Sequence, residues 1–292
     1  MKKQKKIWNK IIFIIGLLLV SYPLVSSMIE RQHQKDAVAT YQGSIEEEDK
    51  SRIQDAIAKA SEYNNMLFQT QGEKAEDDYF EKYRANLEKR LKEQNGILSE
   101  ENYENLLNLS GTGVMGSIEI PKINVDIPIY HGTSEDVLAS GVGHFQDSSL
   151  PVGGNNTRCI LTGHRGLPNS KLFTRLDELE KEDLFFISTC GETLAYRITE
   201  IEVVEPEEAE LLEILPEKDL CTLITCTPYG INTQRLVITG ERVPYEKAEY
   251  DSIERKLPSF REAFFMVLPF IFMMAGLISF FRRKRHGKKN EQ

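Results

Sequence analysis

The sequence predicts a mainly β protein: a closed or nearly closed barrel preceded by a helical extension, with an apolar span at each end of the chain. Three observations predict it. Seven short β-type runs, joined by non-helical connections, crowd into about 130 residues after Gly116. Before them, residues 29 to about 110 are polar and rich in Glu, Lys, Gln and Asn. Both ends are apolar with basic outer flanks.

At the N-terminus, Ile7 to Val25 is apolar apart from Asn9, Lys10, Ser21 and Tyr22, and follows Met1-Lys-Lys-Gln-Lys-Lys6. Near the other end, Phe264 to Phe281 is an apolar run of 18 residues that meets Arg282-Arg-Lys-Arg-His-Gly-Lys-Lys289. Each run is close to the roughly 20 residues that a helix needs to cross a bilayer, and Pro269 and Gly276 are tolerable within one. Basic residues on the outer end of both spans place both termini in the cytoplasm and the middle outside. A cleavable signal peptide ending near Val25-Ser26-Ser27 is the alternative for the first span.

The net charge of −9 conceals a segregation. Residues 1–28 and 263–292 hold 11 of the 36 basic residues and one of the 45 acidic ones, so the 25 basic and 44 acidic residues between them carry −19. Nucleic acid needs a basic footprint, so it is excluded as a partner; a lysine-presenting partner suits such a surface better.

Within the extension, Ile53, Ile57, Ala60 and Tyr63-Asn-Asn-Met-Leu67 follow helical spacing, as does charged Asp78 to Gln94, with breaks at Gln69-Thr-Gln-Gly72 and Asn95-Gly96. This leader is either packed on the main domain or a spacer that tethers it. The predicted strands are 117–123, 125–130, 158–162, 184–188, 193–204, 220–226 and 235–239. Pro121 and Pro128 point to edges or strand ends, and the acidic stretch Glu205-Pro-Glu-Glu-Ala-Glu-Leu-Leu to a short helix or loop beside the barrel. The domain boundaries that follow are 1–28 for tail and anchor, 29–112 for the extension, 113–245 for the barrel, 246–262 for a linker, 263–281 for the second span and 282–292 for a basic tail.

Four cysteines are present. Cys221 and Cys226 lie five apart and so point to opposite faces of a strand, which disfavours a bridge. Cys159 and Cys190 either pair or serve as small buried apolar groups, and the second reading is preferred. Metal-ligand spacing is missing and no cofactor motif is present, so neither zinc nor a cofactor is expected.

Three segments carry chemistry: Cys159-Ile-Leu-Thr-Gly-His164-Arg-Gly, Thr222-Leu-Ile-Thr-Cys226-Thr-Pro-Tyr-Gly and Asn232-Thr-Gln-Arg235-Leu-Val-Ile-Thr-Gly. A thiol becomes a strong nucleophile as thiolate, which a nearby cation favours. Alternation puts Leu220, Thr222, Ile224 and Cys226 on one face and Arg235, Val237 and Thr239 on another, so neighbouring strands present thiol and guanidinium side by side. His164 reaches in from the loop after an earlier strand.

Thr222-Leu-Ile-Thr-Cys226, with Arg235 downstream, resembles the active-site signature of the sortases, membrane-bound cysteine transpeptidases of Gram-positive surfaces. Gly113-Val-Met-Gly-Ser-Ile-Glu-Ile-Pro-Lys-Ile, Pro128-Ile-Tyr-His-Gly-Thr, Gly141-Val-Gly-His-Phe, Ser148-Ser-Leu-Pro-Val-Gly-Gly and Leu161-Thr-Gly-His-Arg-Gly-Leu-Pro168 narrow it to the class C, pilin-polymerising sortases, over about residues 105 to 245. The resemblance implies an eight-stranded barrel and no cofactor. In it Cys226 attacks the Thr–Gly bond of a Leu-Pro-x-Thr-Gly-like signal to form a thioester. His164 is the general acid and base, and Arg235 holds the carbonyl and its developing oxyanion. The acceptor is a lysine of a pilin subunit.

His131 and His144 lie in matching segments outside the catalytic signature and are expected to serve turns or packing; His33 and His286 are expected in solvent. Class C enzymes usually carry an Asp-Pro-aromatic lid, and no Asp-Pro occurs in this chain. The nearest equivalent is Asp77-Asp78-Tyr79-Phe80, in which Asp78 would pair with Arg235 and Tyr79 would cover Cys226. The alternatives are a sortase that anchors proteins to peptidoglycan, a hydrolytic cysteine protease and a non-catalytic scaffold that binds pilins.

Overall fold

The computed structural model describes residues 2–72, 100–166, 172–209, 212–257, 263–264, 266–276 and 278. They divide into two compact units, Met1–Glu30 with Leu257–Gln292, and Arg31–Lys256.

Helix α1 (Lys2–Glu47) begins in the first unit and continues into the second from Arg31; its first-unit part turns large apolar side chains outward, with Ile11, Ile12, Ile14, Ile15, Leu18, Leu19 and Val25 all exposed. From Ile11 onward this helix is long and apolar enough to cross a membrane. A shorter apolar helix, Met266–Gly276, stacks Phe272 on Phe13 with ring centroids 5.1 Å apart. The basic stretch 282–289 that the sequence assigns to the cytoplasm lies outside the described residues.

The second unit is a closed barrel of eight strands: β1 (Val114–Ile120), β2 (Val125–His131), β3 (Val142–His144), β4 (Thr157–Thr162), β5 (Leu184–Thr189), β6 (Glu192–Val204), β7 (Asp219–Thr227) and β8 (Gln234–Val243). They hydrogen-bond in the order β1-β2-β3-β4-β7-β8-β6-β5 and close through β1 and β5. Only β2–β3 and β4–β7 are parallel pairs; the rest are antiparallel. Alternation sends Ile118, Ile120, Leu161, Phe185, Ile187, Tyr196, Leu223, Leu236 and Ile238 into one continuous core. Closure leaves no unpaired edge to be covered.

Seven of these strands match the predicted runs within a few residues. The first run is shorter than expected at its end: β1 stops at Ile120, and Pro121–Ile123 forms a 3-10 turn closed by left-handed Asn124. Proline at the first position of that turn has the φ the turn requires and no N–H to lose. Pro128 instead sits inside β2, at a level where β2 pairs with β1 and the pairing with β3, which begins at Ile129, has not started. Strand β3 is new. Its three residues are too few to show a period, and it becomes a strand because helix α4 (Glu135–Ser140) returns the chain to lie parallel to β2.

Helices α2 (Lys50–Gly72) and α3 (Glu100–Asn105) join the same core through Ala60, Tyr63, Leu67 and Tyr103. Polar contacts fix the docking. Tyr63 donates to Gln146 O at 2.6 Å, and buried Asn64 both donates to Leu150 O at 3.1 Å and accepts from Leu150 N at 2.7 Å. Tyr41 of α1 donates to Met115 O and accepts from Cys190 N, both at 3.0 Å, and burial pushes its phenol up to about 12. The extension is therefore packed on the barrel through α2 and α3. Asn64→Ala strands a buried donor and acceptor of the Leu150 backbone, a loss of about 2 kcal/mol. Calorimetry should show Tm lower by about 5 °C; an unshifted Tm would mean that Asn64 does not hold the helix.

His131 and His144 have the packing roles expected of them. His144 is fully buried, with Nδ1 2.9 Å from the Tyr103 hydroxyl and Nε2 2.9 Å from Ser149 O. His131 meets Leu106 O at 2.7 Å and Gly113 O at 3.2 Å, and burial lowers its proton affinity. His33 is exposed, while His286 lies outside the described residues. All four cysteines are free, and Cys159, Cys190 and Cys221 are buried. The strand neighbour of Cys159 is Cys221, directly across the β4–β7 pair.

Candidate active site

Three strand ends meet at one rim of the barrel. Cys226 is the penultimate residue of β7, and its partner across the antiparallel pair is Arg235, the second residue of β8. On the other side, β4 runs parallel to β7 in a register that reaches Thr162 opposite Ile224, and Gly163 N extends the ladder by donating to Ile224 O at 3.1 Å. Two residues beyond each of that last pair come His164 and Cys226. The thiol is thus flanked by an imidazole-bearing chain on one side and a guanidinium-bearing chain on the other.

The backbone of His164 is clamped. Thr225 Oγ1 donates to Gly163 O at 2.7 Å, and Phe173 N donates to His164 O at 3.2 Å. Gly163 passes under the Phe173 ring so closely that a Cβ would lie 2.9 Å from it, so no side chain fits there. Arg165 braces the same loop: it is buried, pairs with Asp177, and donates from Nη1 to Thr227 Oγ1 at 3.0 Å. Its guanidinium also lies 6.0 Å from the Tyr229 ring centroid. One side chain thereby ties the loop after β4 to the residue that follows Cys226.

Arg235 is half-buried, and its Nη1 faces the carbonyls of Gln234 at 3.3 Å and Asn232 at 3.5 Å. These contacts hold the planar group against its own loop. Among the described residues no carboxylate pairs with it. Asp78 and Tyr79, the expected lid residues, lie outside the described residues.

Cys226 belongs to the outward face of the sheet. Leu223 and Cys221 point into the barrel core, whereas Ile224 joins Ile160 and Val237 in a small separate cluster outside it. Ala209 of the short helix α5 (Pro206–Ala209) covers this cluster together with Phe145, Val204 and Leu212. Residues 206–209 of the acidic excursion are thus a short helix beside the barrel, as the sequence suggests. Beyond the cluster, Arg158 donates from Nε to Glu213 O at 2.6 Å and from Nη1 to Thr222 Oγ1 at 3.0 Å, pinning the β6–β7 connection to the sheet. Burial pushes the Arg158 guanidinium below its ordinary proton affinity.

The reading of the sequence missed Arg158, Arg165 and Glu135. Glu135 opens α4 and brings Oε2 to 3.4 Å from His164 Nε2. The only local signal was Ser134 ahead of two acidic residues, a helix start; nothing local places that helix beside residue 164. Among the described residues no cluster suits a metal ion.

Residues 118–243 match the family model for the sortase domain. Crystalline sortase C1 from Streptococcus agalactiae is 38% identical, with a TM-score of 0.59, over 72% of this chain and 100% of that one. The chain belongs to the sortase family. Its solved neighbours include sortases of class C, among them sortase C of Clostridium perfringens with the C-terminal cell wall sorting motif, 37% identical over 72% of this chain and 99% of that one, with a TM-score of 0.57. Sortase D of Bacillus subtilis strain 168 is 38% identical over 132 residues, which are 44% of this chain and 63% of that protein. The chain spans less than two thirds of that curated relative. Cys226, His164 and Arg235 all lie within the stretch matched by the sortase domain model.

Proposed function

We propose that this sortase is a membrane-held cysteine transpeptidase that polymerises pilins. The observation that carries the reading is the triple register at the rim: Arg235 directly opposite Cys226, and His164 level with it on the far side. Cys226 attacks the Thr–Gly carbonyl of a Leu-Pro-x-Thr-Gly-like signal. His164 protonates the departing glycine amine, leaving a thioester, and later takes a proton from the incoming amine. Arg235 aims its fixed planar donors at the oxyanion. The acceptor is a pilin lysine, which the −19 charge between the termini favours. The second span, 263–281, completes a hairpin with both termini in the cytoplasm; the described helix Met266–Gly276 supports its core.

Two measurements test this. Intact mass after mixing the protein with a signal peptide should show an adduct of the Leu-Pro-x-Thr acyl group on Cys226 that hydroxylamine removes; an adduct elsewhere, or none, sinks the mechanism. Deletion of the gene should abolish high-mass covalent pilin ladders. Intact ladders with a surface protein shed to the medium would assign the enzyme to peptidoglycan anchoring.

A further inference from the structure

We propose that Glu135 binds the incoming amine in its charged form, so that a primary ammonium docks beside His164 before it is deprotonated; this rests on the transpeptidase reading above. Helix α4 is capped by Ser134, whose hydroxyl accepts from Val137 N at 3.4 Å. The helix lies against β3 at Gly143, where a Cβ would come within 3.1 Å of Leu138 Cδ2 and closer still to Gly132 O, so only glycine lets the helix approach this near. This packing carries Glu135 across to the end of β4, with Oε2 3.4 Å from His164 Nε2. The Glu135 side chain remains 91% exposed, and among the described residues no Lys or Arg pairs with it. A carboxylate that only packed would be covered, and one that only added surface charge would not face the imidazole.

A lysine amine near neutral pH is almost all ammonium, since its ordinary pKa is about 10.4. It must therefore be recognised as a cation and then lose a proton to become nucleophilic. Glu135 and His164 divide these tasks. The carboxylate accepts hydrogen bonds from the ammonium, and the neutral imidazole removes one proton. The amine lone pair forms the C–N bond as the C–S bond to Cys226 breaks, and the second proton lost from nitrogen ends on the departing thiolate. Thioester and ammonium become an amide with one N–H, a thiol and an imidazolium. An exposed ion pair contributes modestly, so its effect falls on capture of the acceptor, as a change of about fivefold in KM.

The test compares two nucleophiles on the full chain acylated by a Leu-Pro-x-Thr-Gly peptide: Nα-acetyl-lysine amide, a cation, and hydroxylamine, uncharged near neutral pH. Glu135→Gln keeps the shape and loses the charge. The expected result is a KM for the lysine compound about fivefold higher, a fall of the same size in the ratio of lysine to hydroxylamine kcat/KM, and recovery of the ratio in Glu135→Asp. An unchanged ratio overturns the proposal: equal losses for both nucleophiles would make Glu135 a positioning residue for the imidazole, and no losses a spectator. If the native protein yields hydroxamate and no lysine adduct, the lysine-acceptor reading itself fails and takes this proposal with it.

Discussion

Cys226→Ala lowers release of the glycine-led fragment from a Leu-Pro-x-Thr-Gly peptide by at least ~10⁴-fold, because the chain then lacks the atom that forms the covalent intermediate. No other thiol can substitute. Cys159, Cys190 and Cys221 are at most 4% exposed, whereas Cys226 is half-buried at the rim. Iodoacetamide should accordingly alkylate Cys226 alone in the folded protein and all four cysteines after denaturation. The substitution removes one sulfur from a partly solvated position, so melting stays near the native value and separates loss of chemistry from loss of fold. Turnover within tenfold of native in Cys226→Ala would leave a non-catalytic scaffold as the better account.

Arg235→Lys costs about 10²-fold in kcat, the scale of removing one oxyanion donor. Charge is kept, so a purely long-range electrostatic role predicts little loss. What disappears is the fork: one Arg235 nitrogen faces the Gln234 and Asn232 carbonyls while the rest of the rigid group is aimed by that contact. A flexible ammonium cannot be held by its loop and present a fixed donor at once. Single-turnover release of the leaving peptide is the appropriate measurement, since it reports the acylation step directly. A near-native rate would remove Arg235 from the oxyanion role.

Much of this arrangement was legible in the chain. Alternation along 220–226 and 235–239 placed Cys226 and Arg235 on adjoining strands, and the structure sets them directly opposite. The periodicity of Ile53, Ile57, Ala60 and Tyr63 gave α2 its buried face. Three-residue β3 was not legible, because a strand so short has no period and depends on the crossover that delivers it. The 3-10 turn at Pro121 escaped because apolar Ile123 lengthens the β-type run, although it falls out of step with Ile118 and Ile120. Arg165 reaches Thr227, 62 positions away, and Glu135 reaches His164, 29 away. Such contacts depend on which strands become neighbours, and local pattern does not encode that. The adjacency of Cys159 and Cys221 escaped for the same reason: β4 and β7 pair across two intervening strands.

That parallel pairing of β4 with β7 also sets when the thiol becomes an enzyme. Parallel neighbours need a long excursion between them, and here it contains β5, β6 and the α5 connection. Contacts so distant in sequence carry a large loop-closure cost and slow the folding of barrels of this kind. A chain whose barrel has not yet closed therefore has Cys226 without His164 beside it. On the proposed mechanism the nucleophile acquires its base only when the barrel closes, so an incompletely folded molecule stays chemically silent toward sorting signals.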